Sequence, residues 1–446
     1  MSSVNIEQAA KNILKILQEK PRHKKGNLLN VVRGIREKSA KIKRLAEIYG
    51  TPLYVVDGEA LRKNIRNFSA AFRKYLPECR FFYAMKANHH PLVIKAVLKG
   101  GYGIDVSSGR ELGIALAAGA KEILFSGPGK TTAEHALALK YNGRVTVNID
   151  SFGELKRLGE LAASVRKTIR AGVRIYLPFY GGWSKFGIPL DELKRFWAAA
   201  GKYKYIRLEG IQFHISWNRQ PSKYVEMIKR ISAYLKESFT AAQRSEIKFI
   251  DFGGGYFPDR AEGYYPWTAH YPGAWPGGKI VCIADSYLGT TTGFKDKYYI
   301  TTADPVEKFA KQISAAIGRH LKPLLDCDYY TEPGRIIVND TMHVVVRITD
   351  CKRKGFVISD GGVNIIGWEY GESFYFPMVN LTHPSLKEIK CTVTGPLCTP
   401  HDTWGQYCYA SKMEEGDLIV VANQGAYKYA LAQNFIKPVP EARLMA

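Results

Sequence analysis

The chain has 446 residues, 46% hydrophobic and 24% charged, the balance of a soluble globular protein rather than a disordered or fibrous one. No run of about 18 apolar residues occurs, so no transmembrane helix is expected, and MSSVNIEQAAKNILKIL at the start lacks the apolar core and cleavage site of a signal peptide. The net charge is +23, and the seven cysteines include no C-x-x-C pair, so the reading is a cytoplasmic protein without a disulfide framework or metal site.

In chain order, residues 1–50 read as a basic helical extension, densest in KPRHKKGNLLNVVRGIREKSAKIKR from Lys20 to Arg44. A solvated charged face accounts for it better than an anionic partner, and no nucleic-acid motif accompanies it. TPLYVVD at residue 51 is a short strand entered through Pro52. Eight strand-like runs follow: RFFYAMK, YGIDVSS, EILFSG, VTVNID, AGVRIYL, LEGIQFHIS, IKFIDFGGG and DYYTEPGR. Helical patterns such as PLVIKAVLKGG, GRELGIALAAGA and KYVEMIKRISAYLKESF separate most of them. Eight alternations over roughly 250 residues predict an α/β fold, a TIM-like (β/α)8 barrel over 51–335. The Tyr-, Trp-, Pro- and Gly-rich segment 259–304 predicts a long ordered loop. Residues 336–446 are strand-rich with few helical signals and predict an all-β domain, to which the strand at 51–57 could pair.

In such a barrel the chemistry collects at the C-terminal ends of the strands. Those ends carry Lys86, Asp105, Asp150, Arg174, His214, the glycines Gly253, Gly254 and Gly255, and then Glu332 with Arg335. Each has a plain structural alternative: Lys86 could end a strand in water, Asp105 and Asp150 could cap helices, and His214 could be a satisfied core histidine. Together they combine an imine-forming lysine, a glycine nest and arginine where barrels bind phosphate, and a carboxylate able to hold a pyridinium proton. That set describes pyridoxal phosphate.

The stretches TPLYVVD, FFYAMKAN, GIDVSSGREL, SKFGI, FHI, DFGGGYF, TEPGRIIV, GPLCTPHD and NQGAY resemble the barrel-type pyridoxal-phosphate decarboxylases of diaminopimelate, ornithine and arginine, with alanine racemase more distant. The resemblance covers roughly residues 50 to 436. It implies that Lys86 is the Schiff-base lysine and that His214 stacks on the ring, with Asp105 nearby. Glu332 would pair with the pyridine nitrogen, and Gly254, Gly255, Arg335 and Tyr427 would hold the phosphate. Cys398 would be the general acid that protonates the quinonoid carbanion, with Thr399, Asp402 and Tyr427 on the substrate side. It implies a small amino-acid substrate and a homodimer whose sites are shared between chains.

The chain also departs from the pattern. HISW places Trp217 where the family carries a phosphate-binding serine, leaving open whether Ser216 substitutes. Thr399 follows the cysteine in place of an acidic residue, and GGVNIIGWEYGESFYFP lacks the arginine of diaminopimelate decarboxylases. The reading is therefore an α-decarboxylase of a diamino acid, of L- or D-ornithine or lysine type or diaminopimelate-like. A carrier-bound or siderophore-pathway substrate, or an amino-acid racemase on the same fold, is the alternative; Glu332 argues against the racemase. A cofactor-carrying protein without enzymatic activity is disfavoured by the β-domain and its cysteine.

Overall fold

The computed structural model describes residues 7–8, 11, 26–177, 185–259, 262–264, 299–367 and 374–445. The chain divides into two compact units, one of Glu59–Phe257 with Asp304–Val338, the other of Met1–Gly58, Pro258–Ala303 and Asn339–Ala446.

The first unit is a closed barrel. Its eight strands are Cys79–Ala84, Gly103–Val106, Ile123–Phe125, Val145–Ile149, Ile169–Tyr176, Ile206–Gln212, Phe249–Asp251 and Asp328–Thr331, in the chain order that the sequence predicts. All neighbours run parallel, and the eighth pairs with the first, Tyr329 opposite Cys79, to close the ring. Several of these strands are buried on both faces, which explains their near-continuous apolar runs. Several of the helices between them begin on small hydroxyl caps. Ser108 accepts the Glu111 N–H, Ser151 accepts the Glu154 N–H, and Thr131 with Glu134 forms a reciprocal capping box. Phe82, Leu124, Phe249 and Tyr330 form a buried cluster inside the ring, with the rings of Phe249 and Tyr330 stacked at 4.9 Å. Filling the interior with carbon leaves the strand ends as the place where polar groups gather.

The second unit is built on an eight-stranded sheet. It contains Met342–Arg353, Phe356–Ser359, Met378–Asn380, Pro384–Thr394, Thr403–Ala410 and Leu418–Val421, together with Leu53–Asp57 and Ala442–Met445. Leu53–Asp57 lies antiparallel to Met342–Arg353 and parallel to Ala442–Met445. The described helices of the N-terminal segment, Gly26–Glu37 and Ser39–Tyr49, belong here too. Their apolar stripe, Val32, Ile35, Ile42 and Ala46, joins one buried cluster with Leu53, Val55, Val345 and Val420. The segment is thus basic outside and packed inside, and Lys38 at the junction of the helices forms an ion pair with buried Asp57.

The segment 259–304, assigned to the barrel by its place in the sequence, groups by contacts with the β unit. Its described parts, Glu262–Tyr264 and Tyr299–Thr301, pair with each other and with Phe374–Tyr375. Residues 260–261, 265–298 and 368–373 lie outside the described residues.

Candidate active site

The polar groups at the barrel strand ends form a connected cluster. Strand one ends at Ala84, and a single 3-10 turn, Met85–Ala87, then carries Lys86. Lys86 Nζ lies 3.9 Å from Oδ2 of Asp105, a wholly buried side chain on strand two. The caps of the following helices are Ser108 and Ser151, so neither Asp105 nor Asp150 is spent on capping; Asp150 accepts the Gly187 N–H at 2.9 Å.

Glu332, just past strand eight, is at the centre. Its Oε1 accepts from Gln212 Nε2 at 3.2 Å, and its Oε2 is 3.2 Å from Nδ1 of His214. Nε2 of His214 is 3.1 Å from the Ser216 hydroxyl. Burial works to raise the Glu332 carboxyl, but the hydrogen bond and charge of His214, with Lys86 beyond, outweigh it and hold it down at about 2. Burial, then Lys86, lowers the His214 imidazole to about 4. Nδ1 of His214 also accepts the Gly254 N–H at 3.1 Å, so this nitrogen faces both the carboxylate and a backbone donor.

Two further carboxyls complete the cluster. Burial and the neighbouring Glu332 push both Asp105 and Asp251 well up. Like charges this close oppose one another's ionisation, and so these two carboxyls shift up while Glu332 shifts down. Asp251 Oδ1 accepts the Gly253 N–H at 2.9 Å. Buried Arg174 sits among the same groups and remains a cation.

Gly253 and Gly255 have φ of +68° and +91°, a left-handed backbone that favours glycine. A Cβ on Gly254 would lie 2.1 Å from the Glu332 carbonyl oxygen, and one on Gly255 1.9 Å from that of Ile215. The chain therefore passes close against strands six and eight, and the Tyr224 hydroxyl fixes it by donating to Gly254 O at 2.5 Å. Arg335 is buried at the start of a short turn of helix, Arg335–Val338, its guanidinium carbon 4.6 Å from the centre of the Trp217 ring.

Cys398, Thr399, Asp402 and Tyr427 lie in the β unit. Cys398 is exposed in the connection from Pro384–Thr394 to Thr403–Ala410. Asp402 is buried, and its two oxygens accept the N–H groups of Val363 and Leu397 at 2.8 and 2.7 Å, so it organises the cysteine turn. Thr399 N–H donates to Leu397 O, and Tyr427 has φ +67°. Gln212 and Asp251 escaped the sequence reading. Each is the last residue of its strand and stands two residues before a site residue, His214 and Gly253, which is the signal that could have found them.

Pyridoxal phosphate fits the barrel residues. Both Asp105 carboxyl oxygens are buried without a hydrogen-bond partner, and the glycine turn is a cradle that any side chain would fill. Residues 62–271 match the model of the pyridoxal binding domain of pyridoxal-dependent decarboxylases. The chain is 26% identical over 410 residues to a diaminopimelate decarboxylase of Aquifex aeolicus, covering 88% of this chain and 86% of that one. It is 29% identical over 411 residues to that of Methanothermobacter thermautotrophicus, covering 88% and 85%. Among solved structures it is similar to diaminopimelate decarboxylase from Helicobacter pylori complexed with L-lysine, with TM-score 0.71, 24% identity and coverage of 90% and 94%. A lysine/ornithine decarboxylase from Vibrio vulnificus complexed with putrescine shares the fold at TM-score 0.70 and 21% identity, with coverage of 92% and 98%. The lysine after strand one, the glycine turn and the buried glutamate thus stand in a chain that carries a match to the pyridoxal binding domain of pyridoxal-dependent decarboxylases and is similar to diaminopimelate decarboxylases over most of its length.

Proposed function

We propose that the protein removes the α-carboxylate of a diamino acid, using pyridoxal phosphate bound to Lys86. The observation that carries this reading is Glu332, a buried side chain just past strand eight that accepts from Gln212 Nε2 and lies 3.2 Å from His214 Nδ1. An anion there holds a proton on the pyridine nitrogen, whereas an arginine, the partner a racemase uses, would not. When bound, the cofactor supplies an electron sink for the pair left by the breaking Cα–carboxylate bond.

The chain's residues divide the remaining work. Lys86 would hold the cofactor aldehyde, with the Asp105 carboxyl 3.9 Å from its Nζ. His214 presents a neutral ring face, fixed at one edge by Ser216 and at the other by Glu332. With the Gly254 N–H turned to His214 Nδ1 at 3.1 Å, the Gly255 N–H, Arg335 and Tyr427 would hold the phosphate. Carbon dioxide leaves, and the Cys398 thiol delivers the proton that Cα gains in return, then recovers one from water. Cys398 would come from the partner of a homodimer, with Thr399 and Tyr427 lining the substrate side and Asp402 holding the loop. Relatives named for diaminopimelate and for lysine and ornithine support a diamino acid.

The test is direct. Purified protein is incubated with L- and D-diamino acids, and carbon dioxide and amine are both measured; a second sample is reduced with borohydride and mapped by mass spectrometry. Equimolar carbon dioxide and amine from at least one diamino acid, with a pyridoxyl group on Lys86, is the expected result. Racemisation without carbon dioxide, or an adduct on another lysine, would overturn it.

A further inference from the structure

The Trp217 indole lies at the phosphate end of the barrel, where a bulky aromatic residue is not an obvious choice. It has φ +59°, the left-handed conformation that a side chain with a Cβ adopts only under constraint. The constraint is visible. Asn218 N–H donates to Gly255 O at 2.9 Å, Phe257 N–H donates to Asn218 O at 3.0 Å, and Asn218 Nδ2 donates to Ile215 O at 2.5 Å. Residues 215–218 are thereby stapled to the glycine turn. The staple delivers the indole to one place: the Arg335 guanidinium carbon lies 4.6 Å from its centre and 5.5 Å from that of Phe257. The two rings are 5.9 Å apart and inclined by 32°. Ser216, the hydroxyl nearest in sequence, is engaged with His214 Nε2.

We infer that Trp217 is a positioning residue for the phosphate. Its indole, backed by Phe257, forms a platform under the Arg335 guanidinium, so that the fork of N–H donors is held in place before the anion arrives. The inference rests on the pyridoxal-phosphate reading above. A guanidinium over an aromatic face is attracted to it and loses rotational freedom. Loss of freedom before binding is recovered as affinity. The hydroxyl of the loop is then left for the histidine, and the aromatic ring serves the phosphate through Arg335.

The consequence is specific to the phosphate group, which gives the test its discrimination. Apoprotein is titrated with pyridoxal phosphate and, separately, with pyridoxal, which has the same aldehyde and ring but no phosphate. Binding is read from the absorbance of the bound chromophore. The variants are Trp217→Gly, which accepts φ +59° without strain and so keeps the loop, and Trp217→Phe, which keeps a ring. In Trp217→Gly the preference for pyridoxal phosphate over pyridoxal should fall by about tenfold, with pyridoxal affinity unchanged, and Trp217→Phe should restore most of it. An unchanged preference in Trp217→Gly, or an equal loss of both ligands, would overturn the inference. Failure of the wild-type apoprotein to take up pyridoxal phosphate on Lys86 would instead overturn the functional reading.

Discussion

Glu332 gains its meaning from its neighbours rather than from its type. A buried carboxyl left alone is pushed toward the protonated form; here Gln212 and His214 both face it, and it is held at about 2. Glu332→Gln keeps the shape and the hydrogen bond to Gln212 while removing the charge. Turnover should fall by on the order of 10²-fold or more, with cofactor content by absorbance unchanged; turnover within a few-fold of wild type would remove Glu332 from the mechanism. His343, on the β-unit strand Met342–Arg353, is expected to make stability depend on pH. Burial brings its imidazole down to about 4, against the pull of Asp57, and its Nδ1 accepts the Asn423 N–H at 3.2 Å. The unfolded chain binds that proton near pH 6.5, so as pH falls from 6.5 toward 4 the unfolded state gains protons first and stability drops. His343→Gln should shrink the loss of apparent stability between pH 7 and pH 5 by about 2 kcal/mol. Urea titrations at the two pH values measure it, and parallel pH profiles for both proteins would contradict it. At this scale Lys86, His214 and Glu332 were legible because each ends a strand run. Gln212 and Asp251 were not, since polar residues within apolar strands show their direction only once the strand is in place.

The glycines behave differently according to the element that contains them. Gly255 is in a turn at φ +91°, with a backbone oxygen 1.9 Å from where its Cβ would be. Gly113 is inside the helix Gly109–Ala117, with nothing within 4 Å of that point. Gly255→Ala should destabilise the barrel by on the order of 2–5 kcal/mol and abolish cofactor uptake. Gly113→Ala should stabilise by about 0.5–1 kcal/mol through the unfolded chain, with uptake unchanged. Thermal melts and cofactor absorbance on both variants check the pair, and normal uptake by Gly255→Ala would mean that the turn is not the cradle. The barrel strands were readable from the sequence because buried parallel strands leave short apolar runs at regular spacing. The N-terminal helices were readable as helices, but their packing was not. Their charges dominate the sequence, while Val32, Ile35, Ile42 and Ala46, at helical spacing, decide where they lie.

At the scale of the whole molecule, Cys398 and Lys86 lie in different units of the chain. If the site is shared across a two-fold dimer, Lys86→Ala and Cys398→Ala are complementary lesions. A mixed dimer has one site with both defects and one with neither. After random exchange about half of the dimers are mixed, so roughly a quarter of all sites should regain wild-type composition. Carbon dioxide release from the mixture, against inactive parents, measures this; no recovery despite proven exchange would reject the shared site and leave the decarboxylase reading standing. By itself the sequence determined the order of strands and helices, the residues at the strand ends and the cofactor they suit. Those features are local, set by periodicity and by the residue that follows each apolar run. Only the tertiary structure decided that Leu53–Asp57 and the basic helices join the β unit, that Asp402 braces the cysteine turn, and that Ser216 is engaged by His214 while Trp217 lies against Arg335. Those depend on contacts between residues tens to hundreds of positions apart, and on which of several polar neighbours wins a given hydrogen bond, and neither leaves a local pattern in the chain.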